Sequence, residues 1–100
     1  NIYPAEIEAE LLKMPGVADC AVFGIPDEEF GEAVYAVVQP SEGADLSEAG
    51  VKAYLREHVA GYKVPKRIVA LAELPRNTLG KIQKNLLRQR FLSAPYALSS

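Results

Sequence analysis

Apolar residues fall along this 100-residue chain in runs of two different periods, and those periods predict its elements. The first run, YPAEIEAELLKMPG, sets Ile7, Leu11 and Met14 at i, i+4 and i+7, the spacing of one helical face. Pro4 suits the first helical position, where a missing N–H costs no hydrogen bond. Glu6 and Glu8 sit near the positive end of the helix dipole, and Pro15-Gly16 stops the helix. Two strand-length runs rich in β-branched residues follow, VADCAVFGIPD and GEAVYAVVQP. The link between them, IPDEEFG, carries turn formers and acids but is longer than a two-residue hairpin, so it does not alone dictate their pairing.

The polar stretch SEGADLSEAG then offers Asp45 or Ser47 as the cap of a helix running from about Ser47 to Val59. Val51, Leu55 and either His58 or Val59 share its apolar face, and Gly61 is the expected stop. KRIVALAELP reads as a third strand ending in proline, and IQKNLLRQRF as a final helix. The order αββαβα implies an α+β fold: a small two-layer domain of about three strands with helices packed on the sheet. The domain is expected to occupy residues 1–92, with 93–100 a loose tail.

Composition adds bounds. At 49% hydrophobic and 24% charged the chain is ordinary globular material, long enough for one domain with a modest core. Its single cysteine, Cys20, excludes an internal disulfide and a multi-cysteine metal cluster. The single histidine, His58, has no companion ligand and is expected to be structural, near the negative end of its helix. No metal site is expected. No apolar run approaches the roughly 20 residues of a membrane-spanning helix. No secretory or transit pattern opens the chain, so a cytoplasmic, reducing setting is expected.

Charge is divided unevenly. Residues 1–60 hold twelve acids against Lys13, Lys52 and Arg56, whereas residues 61–100 hold eight bases against Glu73. Either the C-terminal part meets something anionic or the two ends of the fold neutralise each other, and charge alone leaves both open.

The chemistry concentrates in LPRNTLGKIQKNLLR, Leu74 to Arg88. It is no phosphate-cradling P-loop, because Pro75 stands where that loop needs glycine and Ile82 where it needs a hydroxyl. Pro75, Asn77 and Gly80 are turn formers, and Gly80 can take positive φ freely. If Lys81 begins the following helix, then Lys81, Lys84 and Arg88 share one face. A solvated basic face is the plain reading of those charges. A nucleic-acid surface fits them too, but no aromatic stacking platform accompanies it.

ELPRNTLGKIQKNLLR resembles the C-terminal signature of the acyl-adenylate-forming enzymes: acyl-CoA synthetases, adenylation domains of peptide synthetases, and luciferases. Their pattern is Pro, four variable residues, Gly-Lys-Ile/Val, then Lys and Leu-Arg, met here by Pro75, Gly80, Lys81, Ile82, Lys84 and Leu87-Arg88. Ahead of it, NIYPAEIEAELLKMPGV is similar to the segment after that family's hinge. AVFGIPDEEFGEAVYAVV resembles its Val-x-Gly-x-Pro-Asp…Gly-Glu stretch, and LREHVAGYKVPKRIVALAELP its Tyr/Phe-Lys-x-Pro-Lys/Arg stretch. Four matches in order over nearly the whole chain are specific where any single one is weak.

The resemblance implies a C-terminal lid of an ATP-dependent, AMP-forming acid–CoA ligase, rotating over a much larger N-terminal domain of its own. Carboxylate and Mg-ATP first give acyl-adenylate and pyrophosphate; the thiol of CoA then attacks and AMP leaves. Carried over by position, Lys81 serves the first step, presented by the turn at Gly80. Phe30, Tyr62, Lys63 and Lys66 contact CoA in the second, although Val64 stands where some relatives have arginine. The implied cofactors are ATP, Mg2+ and CoA, with Mg2+ and most ATP contacts supplied by the N-terminal domain. The implied partners are a carboxylic acid and a protein acetyltransferase acting on Lys81. The chain opens inside the post-hinge motif, so it is expected to be a fragment that does not turn over substrate by itself. PRNTLGKIQKNLLR is most similar to the malonyl- and methylmalonyl-CoA synthetase branch, within fatty-acid-type metabolism. The alternatives are a peptide-synthetase or luciferase-like adenylation fragment and, from another class, a non-catalytic basic interaction or nucleic-acid-binding module.

Overall fold

Helix α1 spans Pro4–Lys13 with proline at its start and buries Ile7 and Leu11, the face its spacing predicts. It ends at Met14, whose amide reaches the Leu11 carbonyl at 3.0 Å. In this computed structural model, residues 3–27, 29 and 31–93 are described. Of the expected tail, 93–100, Ser93 ends the last helix and residues 94–100 lie outside those described.

Strands β1 (Val17–Asp27) and β2 (Gly31–Pro40) have the limits of their two apolar runs and pair antiparallel. Pairing runs from Asp27↔Gly31 to Val17↔Pro40, with one irregularity between Val17 and Asp19. The pairing that the link alone left open is made, and Ile25, Pro26 and Asp27 of that link belong to the strand. Helix α2 spans Glu48–Arg56, and of its two candidate caps Ser47 is the one used: its Oγ accepts the Gly50 amide at 3.0 Å. Ser47→Ala should cost about 1 kcal/mol, read as a lower denaturant midpoint at unchanged slope.

Beyond α2 the expected boundary moves. The helix stops at Arg56 rather than Val59, and Gly61 opens a 3-10 turn (Gly61–Lys63) instead of closing the helix. His58 still serves the helix end. Its Nδ1 lies 2.7 Å from the Tyr54 carbonyl, which can only accept, and its ring stacks on Tyr54 at 4.1 Å between centroids. Val59, not His58, completes the apolar face by packing partly buried against the core.

Strand β3 is only Arg67–Ala70 and lies parallel to β2, from Tyr35↔Arg67 to Val38↔Ala70. The sheet order is β1-β2-β3, and α2 supplies the crossover that parallel neighbours require. Helix α3 spans Lys84–Ser93 and buries Leu87 and Phe91. It begins later than IQKNLLRQRF predicts, so Lys81 precedes the helix and shares no helical face with Lys84 and Arg88.

The α+β class and the order αββαβα are those the sequence implies. Residues 20–25 of β1 are buried without a break, which demands cover on both faces of the sheet. Helices α1 and α2 pack on one face, where Ile7, Leu11, Val51 and Leu55 meet Cys20, Val22, Ala36, Val38 and Ile68. Helix α3 adds cover on the other, where Leu87 and Phe91 meet Ala21, Phe23, Ile25, Val37 and Leu74.

The uneven charge also finds its reason. Lys63–Glu6, Lys66–Asp27, Arg67–Glu48, Arg76–Asp19 and Lys84–Glu8 all join the basic half to the acidic half. Glu48 accepts the Arg67 Nε at 2.8 Å and the Ile68 amide at 2.9 Å, tying α2 to β3. Partial burial pushes its carboxyl up, but the Ile68 amide and Arg67 guanidinium outweigh that and hold it below the ordinary carboxylate value. A depressed folded pKa means stability that is present above the unfolded value and lost as pH falls through the folded one. Thermal unfolding should therefore show a loss below about pH 4 that is shallower in Glu48→Gln than in the parent chain.

Candidate functional site

Between β3 and α3 the chain makes a tight hairpin with Lys81 near its tip. Arg76 and Ile82 form an antiparallel bridge, the Gln83 amide reaches the Pro75 carbonyl at 2.8 Å, and the Asn77 amide reaches the Lys81 carbonyl at 2.9 Å. The Asn77 side chain works from within, its Oδ1 accepting the amides of Leu79 (2.9 Å) and Lys81 (3.0 Å). Asparagine does this because its short acceptor reaches backbone two residues on. The Gly80 amide bonds the Asn77 carbonyl at 3.0 Å, with Gly80 at φ +84°. A side chain there would meet a penalty of about 1–2 kcal/mol, so glycine lets the turn close. Lys81 has both backbone polar groups fixed, while its exposed ammonium has no partner among the described residues.

Arg76 braces this hairpin against the sheet. Its Nη1 donates to the Gly80 carbonyl at 3.0 Å; its Nη2 donates to Asp19 Oδ2 at 2.6 Å and lies 3.5 Å from Gln39 Oε1. The sequence marks Asn77 as a turn former but Arg76 only as one of eight C-terminal bases. Nothing local pairs it with Asp19, which lies 57 residues earlier.

The other predicted site residues gather elsewhere. Tyr62 is 79% exposed and sets its ring edge-on to Tyr3 at 6.5 Å. Lys63 holds Glu6 at 2.8 Å and lies 4.4 Å over the Tyr3 ring, and the Glu6 contact keeps its ammonium pKa raised. Lys66 pairs with Asp27 at 3.2 Å, while its own carbonyl accepts the Lys52 ammonium at 2.7 Å. Phe30 lies outside the described residues. Asp27, which Lys66 holds, lies at one end of the β1–β2 ladder; Asp19 and Gln39, which hold Arg76, lie near the other. From Asp19 to Asp27 is eight strand steps, roughly 26 Å at about 3.3 Å each. The Arg76 brace behind Lys81 and the Lys66 ammonium are therefore held toward opposite ends of β1.

Cys20 is buried; its thiol pKa is pushed up to about 12 by desolvation, reinforced by Glu8 and Asp19, so no thiolate is available near neutrality. Among the described residues no group of three or more His, Cys, Asp or Glu is placed to hold a metal ion, and no helix is long and apolar enough to cross a membrane.

Comparison with known proteins matches residues 6–81 to the AMP-binding enzyme C-terminal domain. The chain is 51% identical over 89 residues to an indoleacetate–CoA ligase of Aromatoleum aromaticum, which covers 89% of this chain and 18% of that protein. It is 48% identical over 91 residues to a feruloyl-CoA synthase of an Amycolatopsis species, covering 91% of this chain and 18% of that protein. Its fold superposes on ATP-bound MatB from Rhodopseudomonas palustris with a TM-score of 0.85 at 47% identity, again over 91% of this chain and 18% of the other. The chain thus spans under a fifth of the length of these relatives. With a fold, an ordered motif set and a family match that agree over three-quarters of its length, this chain belongs to the AMP-binding enzyme C-terminal domain family.

Proposed function

We propose that this chain is the mobile C-terminal domain of an ATP-dependent, AMP-forming acid–CoA ligase, and that Lys81 acts in formation of the acyl-adenylate. The observation that carries the proposal is the Lys81 ammonium, without a partner among the described residues, on a hairpin whose backbone is held by Asn77. In the first step a carboxylate oxygen bonds to the α-phosphorus of ATP and the bond to pyrophosphate breaks. That brings one anion onto another. A positioned ammonium lowers the repulsion and stabilises the charge that spreads over the phosphoryl oxygens. In the second step the CoA sulfur attacks the acyl carbonyl, and AMP leaves.

The far end of the sheet supports a role in that second step. Tyr62 offers an exposed aromatic face and Lys66 a half-exposed ammonium, suited to adenine and phosphate respectively. Lys63 would have to leave Glu6 to join them. Because the brace of Lys81 and the Lys66 ammonium are held toward opposite ends of β1, one rigid domain would turn over its partner to serve both steps, and we assign that partner to the larger N-terminal portion. Mg2+ and most ATP contacts belong to the same portion in this reading, since the described residues form no metal set.

The identity of the acid is carried elsewhere as well. Relatives named for different acids are about equally similar to this chain, as expected if the domain serves the shared chemistry and not the acyl pocket. An exposed Lys81, without a partner among the described residues, is also accessible to a protein acetyltransferase, and acetylation would remove the charge the first step uses. Availability of ATP and CoA makes the cytoplasm the fitting compartment. The ion pairs that neutralise the basic half weigh against a nucleic-acid surface. The test is Lys81→Ala in the full-length enzyme, read separately in ATP–pyrophosphate exchange and in thioester formation from pre-made acyl-adenylate.

A further inference from the structure

The hairpin bearing Lys81 meets the sheet through two kinds of contact. At its base the contact is apolar: Leu74 is buried, and Ile82 packs partly buried beside it on the α3 face. Higher up the contact is polar and is made by one residue, Arg76. Its guanidinium spans from the Gly80 carbonyl, inside the turn, to Asp19 on β1 and Gln39 on β2. The residue directly before Lys81 is thereby tied to two strands at once.

We infer that Arg76 is a positioning residue for Lys81, setting the angle at which the hairpin leaves the sheet and so the point its ammonium reaches. This rests on the proposed role of Lys81 in acyl-adenylate formation. The Arg76–Asp19 pair is about one-third exposed on each side, so water screens it and its contribution to stability is small. Its geometry is specific. A planar guanidinium can serve Gly80, Asp19 and Gln39 together, whereas a lysine ammonium at the same place has neither the fork nor the reach for all three. Leu74 and Ile82 keep the base of the hairpin in the core without it. Loss of Arg76 therefore leaves a folded domain with a looser arm. Rates of oriented reactions respond steeply to such loosening, because a displacement of about 1 Å can cost on the order of 100-fold.

The experiment uses the full-length enzyme and single-turnover rates of each half-reaction for Arg76→Ala, Arg76→Lys, Asp19→Ala, the Arg76→Ala/Asp19→Ala pair and Lys81→Ala. Arg76→Ala should slow acyl-adenylate formation on the order of 10- to 100-fold, in kcat more than in the KM for ATP. Thioester formation from pre-made acyl-adenylate, which does not use Lys81, should stay near the parent rate and so reports a folded domain. Arg76→Lys should recover part of the loss. Asp19→Ala should show a smaller loss of the same selectivity, and the double variant should be no slower than Arg76→Ala, since both act through one contact. Equal loss in both half-reactions would make Arg76 merely structural. Unchanged adenylation in Arg76→Ala beside a lost one in Lys81→Ala would overturn the positioning role alone. Unchanged adenylation in Lys81→Ala would overturn the role of Lys81, and this inference with it.

Discussion

Lys81→Ala is expected to slow acyl-adenylate formation by about 10²- to 10³-fold, a loss of about 3–4 kcal/mol of transition-state stabilisation. Thioester formation from pre-made acyl-adenylate should be largely spared. The magnitude follows from the proposed role: one preorganised positive charge facing a reaction between anions would act where charge builds up. The selectivity follows from position, because the Arg76 brace of the Lys81 hairpin sits at Asp19 while Lys66 reaches Asp27 at the other end of β1. Stability should hold within about 0.5 kcal/mol, since the side chain is exposed and has no partner among the described residues. Lys81→Arg should not restore the rate fully, because a broad planar guanidinium cannot occupy the place of a compact ammonium. Parallel loss of both half-reactions would assign Lys81 to folding or domain closure instead.

Phe91→Ala should destabilise the 100-residue chain by about 3–5 kcal/mol, measured by denaturant unfolding. The ring is 3% exposed and holds α3 to the sheet, 5.1 Å from Tyr35 edge to face and 5.8 Å from Phe23. Truncation removes the apolar burial and both aromatic contacts and leaves a cavity between two rings that the strands hold in place. A domain of this size has roughly 5–15 kcal/mol in total, so the change takes a large share. Phe91→Leu should keep most of it. A loss in Phe91→Ala no larger than that of a surface substitution would mean that α3 contributes little to the core. Because α3 follows the Lys81 hairpin directly, the same truncation in the full-length enzyme should also slow adenylation.

Much of this was legible along the chain. The spacing of Ile7 and Leu11, Pro4 at the helix start, and two β-branched runs gave α1, β1 and β2 with their limits, because local periodicity decides which residues can share a face. Tyr54, Leu55 and His58 show where that reading stops: the periodicity runs on to Val59, but the chain leaves the helix at Arg56 and uses His58 to cap it. Lys81 itself was singled out by its motif and not by its chemistry, since a lysine after glycine is ordinary on any surface.

By itself the sequence determined the element types, the α+β order, the family through four motifs in succession, and Lys81 as the residue of interest, all of which depend on neighbours close in the chain. Only the tertiary structure decided that helices cover both faces of the sheet, that β3 pairs with β2 over four residues, and that the charge imbalance is spent largely on internal pairs. It also decided that Lys81 stands on a hairpin braced by Arg76 on Asp19 instead of opening a helix. Those contacts join residues dozens of positions apart. Local propensity is silent about them, and a partner at such a distance is chosen by the packing of the whole sheet.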